Sequence, residues 1–550
     1  MQLQGQHVLI LGLGTSGLAM ARWCARAGAE VSVADTRDAP PQLATLQAEW
    51  PSVRFIAGPF SADLVQGTSV RAVFRSPGLA PDVVAPVVNA AQAMGLWQGV
   101  ELTLFAVALS DLYTRFAYKP QVLAITGTNG KTTVTALTGQ LVARAGKSVQ
   151  VAGNIGPTLL DTLTQALARA QAQIDVPAES ETPTKADSES AEADFPTAAT
   201  STEAEPEVTK RHPLAAALPE VWVLELSSFQ LDSCEGFEPT AATVLNVSQD
   251  HLDWHGDMSV YAAAKARIFG EQTLMVLNRE EPLVMAMRPA PVRVKLQKPI
   301  ERECLLFGGD MPQRPGDFGI EVANGMTWLV RALEADETHR RRKDQEDDLH
   351  IQRLIPADAL RIRGRHNAVN ALAALALASS AGCALGPMLY GLREYRGEPH
   401  RVEPVAIIDG VEFFDDSKGT NVGATAAALK GLGTDRRIVA ILGGEGKGQD
   451  FSPLAEPISR FARAVVLIGR DAPLIRAALQ DSAAPLHDAA DMASAVTLAA
   501  ELAQSGDAVL MSPACASFDM FDHYVHRAEV FVQAVSELAD AAGVAMEGGL

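Results

Sequence analysis

Short apolar runs recur along the chain, each followed by a stretch of helical periodicity. In the first part they fall at 8–11, 31–34, 53–56 and 71–74. Strand-length runs alternating with helical patterns form a βαβ series and predict a parallel sheet. A second series begins at "QVLAITGTNGKTTVTALTGQLVARAG" (121–146), with further strand-like runs at 149–152, 221–226 and 242–247. A third starts near His400, with runs at 405–408, 438–442, 464–468 and 508–511. The pattern predicts an α/β chain of three domains, 1–99, 100–397 and 398–550, the first and third Rossmann-like.

Two stretches break the pattern. Residues 172–212 are rich in Glu, Ser, Thr, Pro and Ala and nearly empty of large apolar residues. Such a segment cannot bury enough surface to offset its ordering entropy, so it is expected to be a disordered acidic insertion. A second, charged insertion, "ADETHRRRKDQEDD" (335–348), reads as a solvated loop. The Ala-rich "AVNALAALALASSAG" is the most membrane-like stretch, but it follows "RIRGRH" and predicts a buried core helix.

Composition narrows the classes. The chain has 550 residues and 47% hydrophobic content, enough for a core in each of several domains. A net charge of −20 with no basic stripe argues against nucleic-acid binding. Cys24, Cys234, Cys304, Cys383 and Cys515 lie far apart with no CxxC pair, which fits a reducing cytosol. The N-terminus lacks a basic segment ahead of its apolar run, so no signal peptide is expected, nor any membrane insertion.

The first motif is "GLGTSG", Gly12-x-Gly14-x-x-Gly17, between an apolar run and a helical pattern, with Asp35 ending the next run. Alone it fits the dinucleotide fingerprint of an NAD-dependent oxidoreductase. The second motif is stronger. "ITGTNGKTT" places Gly127, Thr128, Asn129, Gly130, Lys131, Thr132 and Thr133 between a strand and a helix, a shorter variant of the phosphate-cradling loop. Such a loop needs a carboxylate for magnesium, and Glu225 ends the apolar run of "VWVLELSSFQL". The alternative reading makes Glu225 a helix cap. His251 follows the next run and Lys265 falls in a helical "YAAAK"; by residue type alone a lone His is structural and a lone Lys solvated. In "GRHNAVNALAALALA", His366 or Asn367 could touch nucleotide or cap the helix. Three loops of the third domain offer Asp416, Lys418 and Thr420; Glu445 and Lys447; and Ser512, Ser517 and Tyr524. Lysines and hydroxyls at strand ends suit an anionic substrate. "SPACAS" lacks the G-x-S-x-G elbow, so Cys515 is not expected to act as a nucleophile.

In order, "GLGTSG", "DTR", "SPG", "GTNGKTT", "GNIG", "ELSSFQL", "DHLDWHG", "YAAAK", "GRHN", "PHR", "DDSKGTN", "GGEGKG" and "SPACASFDMF" resemble the motif series of the Mur ligase family. The resemblance covers nearly the whole chain outside the two insertions. "ELSSFQL" and "SPACASFDMF" are similar to the branch that adds D-glutamate. The resemblance implies a central ATP-binding domain and an amide ligation. ATP phosphorylates the terminal carboxylate of UDP-N-acetylmuramoyl-L-alanine, and the amine of D-glutamate attacks the acyl phosphate. It also implies roles. Lys131 and its loop would hold the ATP phosphates, with Asn367, Arg401 and Asp416 as further ATP contacts. Two Mg²⁺ ions would be held by Thr132 and Glu225, and by His251 with Lys265 as a carbamate. Thr15, Ser16, Asp35, Thr36, Arg37, Ser76 and Asn154 would bind the UDP-sugar. Lys418, Thr420, Lys447, Ser517 and Tyr524 would form the D-glutamate pocket. The implied setting is a cytoplasmic monomer with small-molecule substrates.

A dehydrogenase reading explains only the first domain. A non-catalytic nucleotide-binding scaffold would not need Lys131, Glu225, His251 and Lys265 together. Within the ligases, a sister amino-acid-adding enzyme or a folylpolyglutamate synthase is the remaining alternative, and the latter is not expected to keep the first glycine loop with "DTR".

Overall fold

The computed structural model describes residues 3–175, 212–293, 299–335, 349–434 and 436–544. Three parallel-type sheets follow one another along the chain. The first contains β1 (His7–Leu11), β2 (Glu30–Asp35), β3 (Arg54–Ala57), β4 (Val70–Arg75) and β5 (Trp97–Gly99), in spatial order β3-β2-β1-β4-β5. The second contains β6 (Gln121–Thr126), β7 (Val149–Gly153), β8 (Val221–Glu225), β9 (Ala241–Val244), β10 (Leu274–Asn278) and β11 (Cys304–Phe307), in order β11-β10-β9-β6-β8-β7. All pairs in these two sheets are parallel.

An antiparallel sheet of β12 (Phe318–Ala323), β13 (Met326–Glu334) and β14 (Leu349–Pro356) follows. The last sheet contains β15 (Glu403–Ile408), β16 (Val411–Asp415), β17 (Ile438–Gly443), β18 (Ala462–Ile468), β19 (Leu486–Asp488) and β20 (Ala508–Met511), ordered β15-β16-β20-β17-β18-β19. Only β15 in it runs antiparallel.

The apolar runs form strands because both faces of each sheet are covered. All five residues of β8 and all six of β17 are buried. In β6, alternate residues enter different cores. Val122 and Ala124 join a cluster with Leu159, Leu160 and Leu163, whereas Leu123 and Ile125 join one with Leu137, Leu141 and Ala371–Ala378. The first cluster also holds Val8 and Ile10, so the first and second sheets share one continuous core. The third sheet builds its own two clusters.

The structure adds to and corrects the pattern reading. Strands β5, β10, β11, β16 and β19 and the antiparallel sheet were not predicted. Of these, β5, β11 and β19 are edge strands of three or four residues, over which periodicity is weak, and β12–β14 form a hairpin sheet with one exposed face; β10 and β16 are interior five-residue strands whose length does not account for the miss. The third sheet carries one antiparallel edge strand, β15, beside its parallel strands. The 242–247 run shortens to β9, leaving Asn246 and Val247 in the loop beyond it. Residues 172–175 and 212 are not part of a break: the first complete the helix Leu159–Asp175, and His212 caps the helix Pro213–Ala217. The rest of the acidic insertion up to 211, and 336–348 of the charged one, lie outside the described residues. The Ala-rich run is a core helix, Arg365–Ser380, with Ala371 through Ala378 wholly inaccessible. Among the described residues no helix is long and apolar enough to cross a membrane. All five cysteines are free thiols.

Candidate active site

In each main sheet the polar loops leave the carboxyl ends of the central strands, where open α/β sheets bind ligands. In the first sheet, β1 runs into the glycine turn and the helix Thr15–Arg26. Glycine at 17 is required, since a Cβ there would lie 2.0 Å from the Gly12 carbonyl oxygen. Ser76 Oγ donates to that same carbonyl at 2.9 Å. Asp35 is buried, and both its oxygens are occupied. Oδ2 accepts from Leu13 N at 2.7 Å and Arg37 Nη2 at 2.8 Å, and Oδ1 accepts from Arg37 N at 3.0 Å and Arg37 Nε at 2.8 Å. Burial pushes this carboxyl up, but those donors outweigh it and hold it at about 2. No lone pair is presented freely to an adenosine ribose, which weighs against the dehydrogenase reading. Thr15, Ser16, Asp35, Thr36, Arg37, Ser76 and Asn154 all line one cavity of about 560 Å³.

In the second sheet, β6 feeds the phosphate-type loop and the helix Lys131–Arg144. Gly130 has φ +82°, the left-handed region that favours glycine. Lys131 Nζ folds back onto its own loop, donating to Gly127 O at 3.0 Å and Thr128 O at 2.8 Å. Asn246, beyond β9, clamps Asn129 through its N–H at 2.8 Å and its carbonyl at 3.1 Å. Thr128 Oγ1 lies 3.2 Å from the Tyr261 hydroxyl. Thr133 is buried behind the loop, and Thr132 Oγ1 accepts from Arg401 Nη2 at 2.6 Å.

Glu225 ends β8, buried, and accepts from Asn154 Nδ2 at 3.1 Å. It caps nothing: the following helix Ser228–Leu231 is capped by Ser227 and Gln230. Lys265 is not solvated. It is 1% exposed, and its Nζ donates to Gly127 O at 2.9 Å. Burial, and then the neighbouring Lys131 charge, pull its amine well below the ordinary lysine range. Lys131 is lowered by burial too, with Glu225 and Asp250 opposing. His251 precedes the helix Leu252–His255 at φ +54°, with Nε2 3.7 Å from Asp250 Oδ2. Burial and the two lysines lower it against Asp250.

Neither candidate in "GRHN" caps the core helix, whose N-cap is Gly364. Asn367 is buried and donates to Arg363 O at 2.8 Å. Burial holds His366 down at about 4, as a neutral imidazole. A small cavity of about 110 Å³ lies between the second and third units, lined by Asn129, Gly130, Thr133, Asn367, Arg401, Asp416 and Lys418.

The third sheet brings together the loops after β16, β17 and β20. Glu445 and Ala516 pair as an isolated bridge, joining the second loop to the third. Asp416 accepts from Ser512 Oγ at 2.6 Å and is pushed up to about 7 by burial, against the bonds and charge that lower it. Lys418 Nζ sits 3.7 Å from the Tyr524 ring centre, and burial followed by Arg401 lowers it to about 8. Thr420 N bonds to Lys418 O at 2.9 Å, and Ser517 is buried in the third loop. Lys447 is exposed at φ +51°, its Nζ 6.0 Å from the Phe518 ring. Burial pushes the Cys515 thiol up to about 12, so it is no nucleophile.

Several residues at these sites carried no signal in their own motifs. Asn246 clamps the phosphate-type loop, and Asn421 bonds Asn129 across the units at 3.0 Å. His400 Nδ1 bonds Asp415 Oδ2 at 2.7 Å beside Arg401. Each is an ordinary polar residue until the fold supplies its partner.

A phosphate-type loop set between two further α/β units defines a three-part nucleotide-using enzyme. The family profile described as Mur ligase middle domain matches residues 125–303. Those described as Mur ligase, glutamate ligase domain, and Mur ligase MurD-like, N-terminal domain, match 400–515 and 6–97. The chain is 64% identical over 546 residues to the UDP-N-acetylmuramoylalanine--D-glutamate ligase of Albidiferax ferrireducens, covering 99% of each chain. It is 56% identical over 630 aligned positions to the protein of the same name from Polaromonas sp., covering 99% of this chain and 100% of the other. MurF ligase from Thermotoga maritima, solved in complex with ADP, has the same fold at a TM-score of 0.50 and 15% identity, covering 98% of this chain and 96% of that one. The chain belongs to the Mur ligase family.

Proposed function

We infer that this chain is an ATP-dependent amide ligase that adds D-glutamate to UDP-N-acetylmuramoyl-L-alanine in peptidoglycan precursor synthesis. The relatives at 64% and 56% identity carry that activity in their names. The observation that carries the reading within the structure is the bond from Arg401 of the third unit to Thr132 of the phosphate-type loop, at 2.6 Å. It holds Arg401 and the Lys418 loop of the third unit against the phosphate-type loop, which supports a reading in which ATP and the amino acid meet there.

The γ-phosphoryl group of ATP passes to the alanyl carboxylate, and ADP leaves. The D-glutamate nitrogen then attacks the acyl carbon. The C–N bond forms, phosphate departs with its bridging oxygen, and the amine loses a proton. Gly127 to Thr133 cradle the phosphates, and Lys131 turns from its own carbonyls to the β/γ-oxygens. Asn367, Arg401 and Asp416 complete the ATP site. Thr15, Ser16, Asp35, Thr36, Arg37, Ser76 and Asn154 hold the UDP-sugar, whose pyrophosphate meets the helix N-terminus. Lys418, Thr420, Lys447, Ser517 and Tyr524 hold D-glutamate, with Lys418 neutralising charge beside the attacking amine.

Two Mg²⁺ ions fit the residues present. Thr132 and Glu225 offer a hydroxyl and a buried carboxylate for one, and His251 with Lys265 serves the second. Lys265 is buried without any carboxylate partner among the described residues, and a free ammonium there would repel a cation. Its lowered basicity leaves a neutral amine that can add CO₂, forming an N–C bond and releasing a proton, to give an oxygen-bearing carbamate. When bound, the ions neutralise phosphate charge as the phosphoryl group moves. The enzyme works as a cytoplasmic monomer, with domain limits at 1–99, 100–397 and 398–550.

The test is phosphate release from purified protein. It is expected only when ATP, UDP-N-acetylmuramoyl-L-alanine and D-glutamate are all present. Equal turnover with L-alanine or meso-diaminopimelate in place of D-glutamate overturns the reading.

A further inference from the structure

Arg527 is the largest fully buried charged side chain, at 1% exposure. It lies in the first turn of the helix Tyr524–Ala541. Among the described residues it forms no ion pair. Its donors go instead to the two loops on either side. Nε donates to Ser417 Oγ at 3.0 Å, Nη2 to Ser417 O at 2.8 Å, and Nη1 to Cys515 O at 3.1 Å. Ser417 is gripped further: its Oγ donates to Tyr524 O at 2.7 Å, and its N–H donates to Asp415 Oδ1 at 2.8 Å. Ser417 directly precedes Lys418, and Cys515 stands two residues before Ser517.

A guanidinium buried with no carboxylate in ion-pair range is costly, the charges of Asp519, Asp415 and Asp416 acting on it only from further away, and a packed apolar side chain is often the more stable choice. Its planar fork, however, can fasten two backbone carbonyls at a fixed separation, which no apolar group does. We propose that Arg527 is a positioning residue for the amino-acid substrate: it ties the loops after β16 and β20 together and so sets the spacing of Lys418, Thr420 and Ser517 for a dicarboxylic amino acid. The proposal rests on the reading of this pocket as the D-glutamate site. Arg527 touches no reacting atom itself, and its buried charge adds a positive field behind a pocket for an anion.

The test compares Arg527→Met, Arg527→Lys and Ser417→Ala with the wild type. KM is measured separately for D-glutamate, ATP and UDP-N-acetylmuramoyl-L-alanine, with ATP binding and thermal unfolding as checks of folding. Arg527→Met is expected to raise KM for D-glutamate about tenfold or more, the loss of charge-assisted bonds, and to leave the other two KM values within about twofold. Arg527→Lys keeps the charge but not the fork and is expected to fall between. Ser417→Ala removes one acceptor and is expected to raise KM for D-glutamate about threefold. Equal rises in all three KM values, or a fall in kcat with KM for D-glutamate unmoved, overturn the proposal. If Arg527→Met does not fold, unchanged KM for D-glutamate in both other variants overturns it. A wild type whose turnover does not depend on D-glutamate overturns the pocket reading and this inference together, whereas unmoved variants of a D-glutamate-dependent wild type overturn this inference alone.

Discussion

Arg401 and Thr132 are 269 positions apart in sequence, yet the guanidinium of one donates to the hydroxyl of the other at 2.6 Å. This bond and the Asn421–Asn129 pair fasten the third unit to the phosphate-type loop. The Thr132 hydroxyl is also the group proposed to meet Mg²⁺. In that reading Arg401 releases it and turns to phosphate when ATP enters. Arg401→Ala is expected to lower kcat/KM for ATP about 100-fold, the size of a lost charge-assisted bond to a phosphate in a partly buried site. Arg401→Lys, lacking the planar fork, is expected to recover only part of it. Phosphate-release kinetics at varied ATP measure both.

Lys265 makes a sharper test because its amine is buried and forms no ion pair among the described residues. Lys265→Ala removes the proposed carbamate and leaves a space lined by the Gly127 carbonyl and the Tyr261 ring. Turnover is expected to fall below detection and to return in part when short-chain carboxylates are added, since they can replace the missing oxygen ligands. Full activity of the variant without additives refutes the carbamate role.

The glycine turn suits a pyrophosphate of either kind, so the proposed UDP-sugar site is tested against a dinucleotide. A Cβ on residue 17 would stand 2.0 Å from Gly12 O, so Gly17→Ala must shift the backbone that approaches the pyrophosphate. KM for UDP-N-acetylmuramoyl-L-alanine is expected to rise about tenfold or more, with KM for ATP unchanged. NADH is expected neither to bind nor to compete. Saturable NADH binding by fluorescence would restore the oxidoreductase reading.

The legible parts of this chain were those in which one local stretch carries both structure and chemistry. The runs that became β1, β6, β8, β17 and β20 are nearly all buried on both faces, so their apolar continuity survives in the sequence. The glycine loops after β1, β6 and β17 were legible for the same reason. The hairpin sheet β12–β14 was not, because its strands expose one face and alternate weakly: β14 has a single buried residue. By residue type Lys265 reads as a solvated lysine on a helix, and its burial against the Gly127 carbonyl and the Tyr261 ring appears only in the fold. The pairing of His400 with Asp415, and of Arg527 with Ser417, joins residues from separate elements, and no spacing rule connects them.

Glu101 yields a pH-dependent prediction at the junction of the first two units. It opens the helix Glu101–Phe116, is 1% exposed, and accepts from Leu160 N at 3.0 Å. Burial pushes its carboxyl up to about 7, against the bonds from Leu160 and from Ser16 of the glycine turn. The folded state therefore holds a proton between about pH 4.5 and pH 7 that the unfolded chain has released. Stability from this group is fully present below about pH 4.5, declines as pH rises through that window, and levels off above about pH 7. The full shift corresponds to about 3 kcal/mol. Glutamine has the shape and hydrogen-bonding capacity of the protonated acid and cannot ionise. Glu101→Gln is expected to match the wild type at pH 4.5 and to unfold at a thermal midpoint several degrees higher at pH 8. Identical midpoints for the two proteins at both pH values would show that Glu101 titrates near its ordinary range, and that its burial is relieved by water reaching the junction between the first two units.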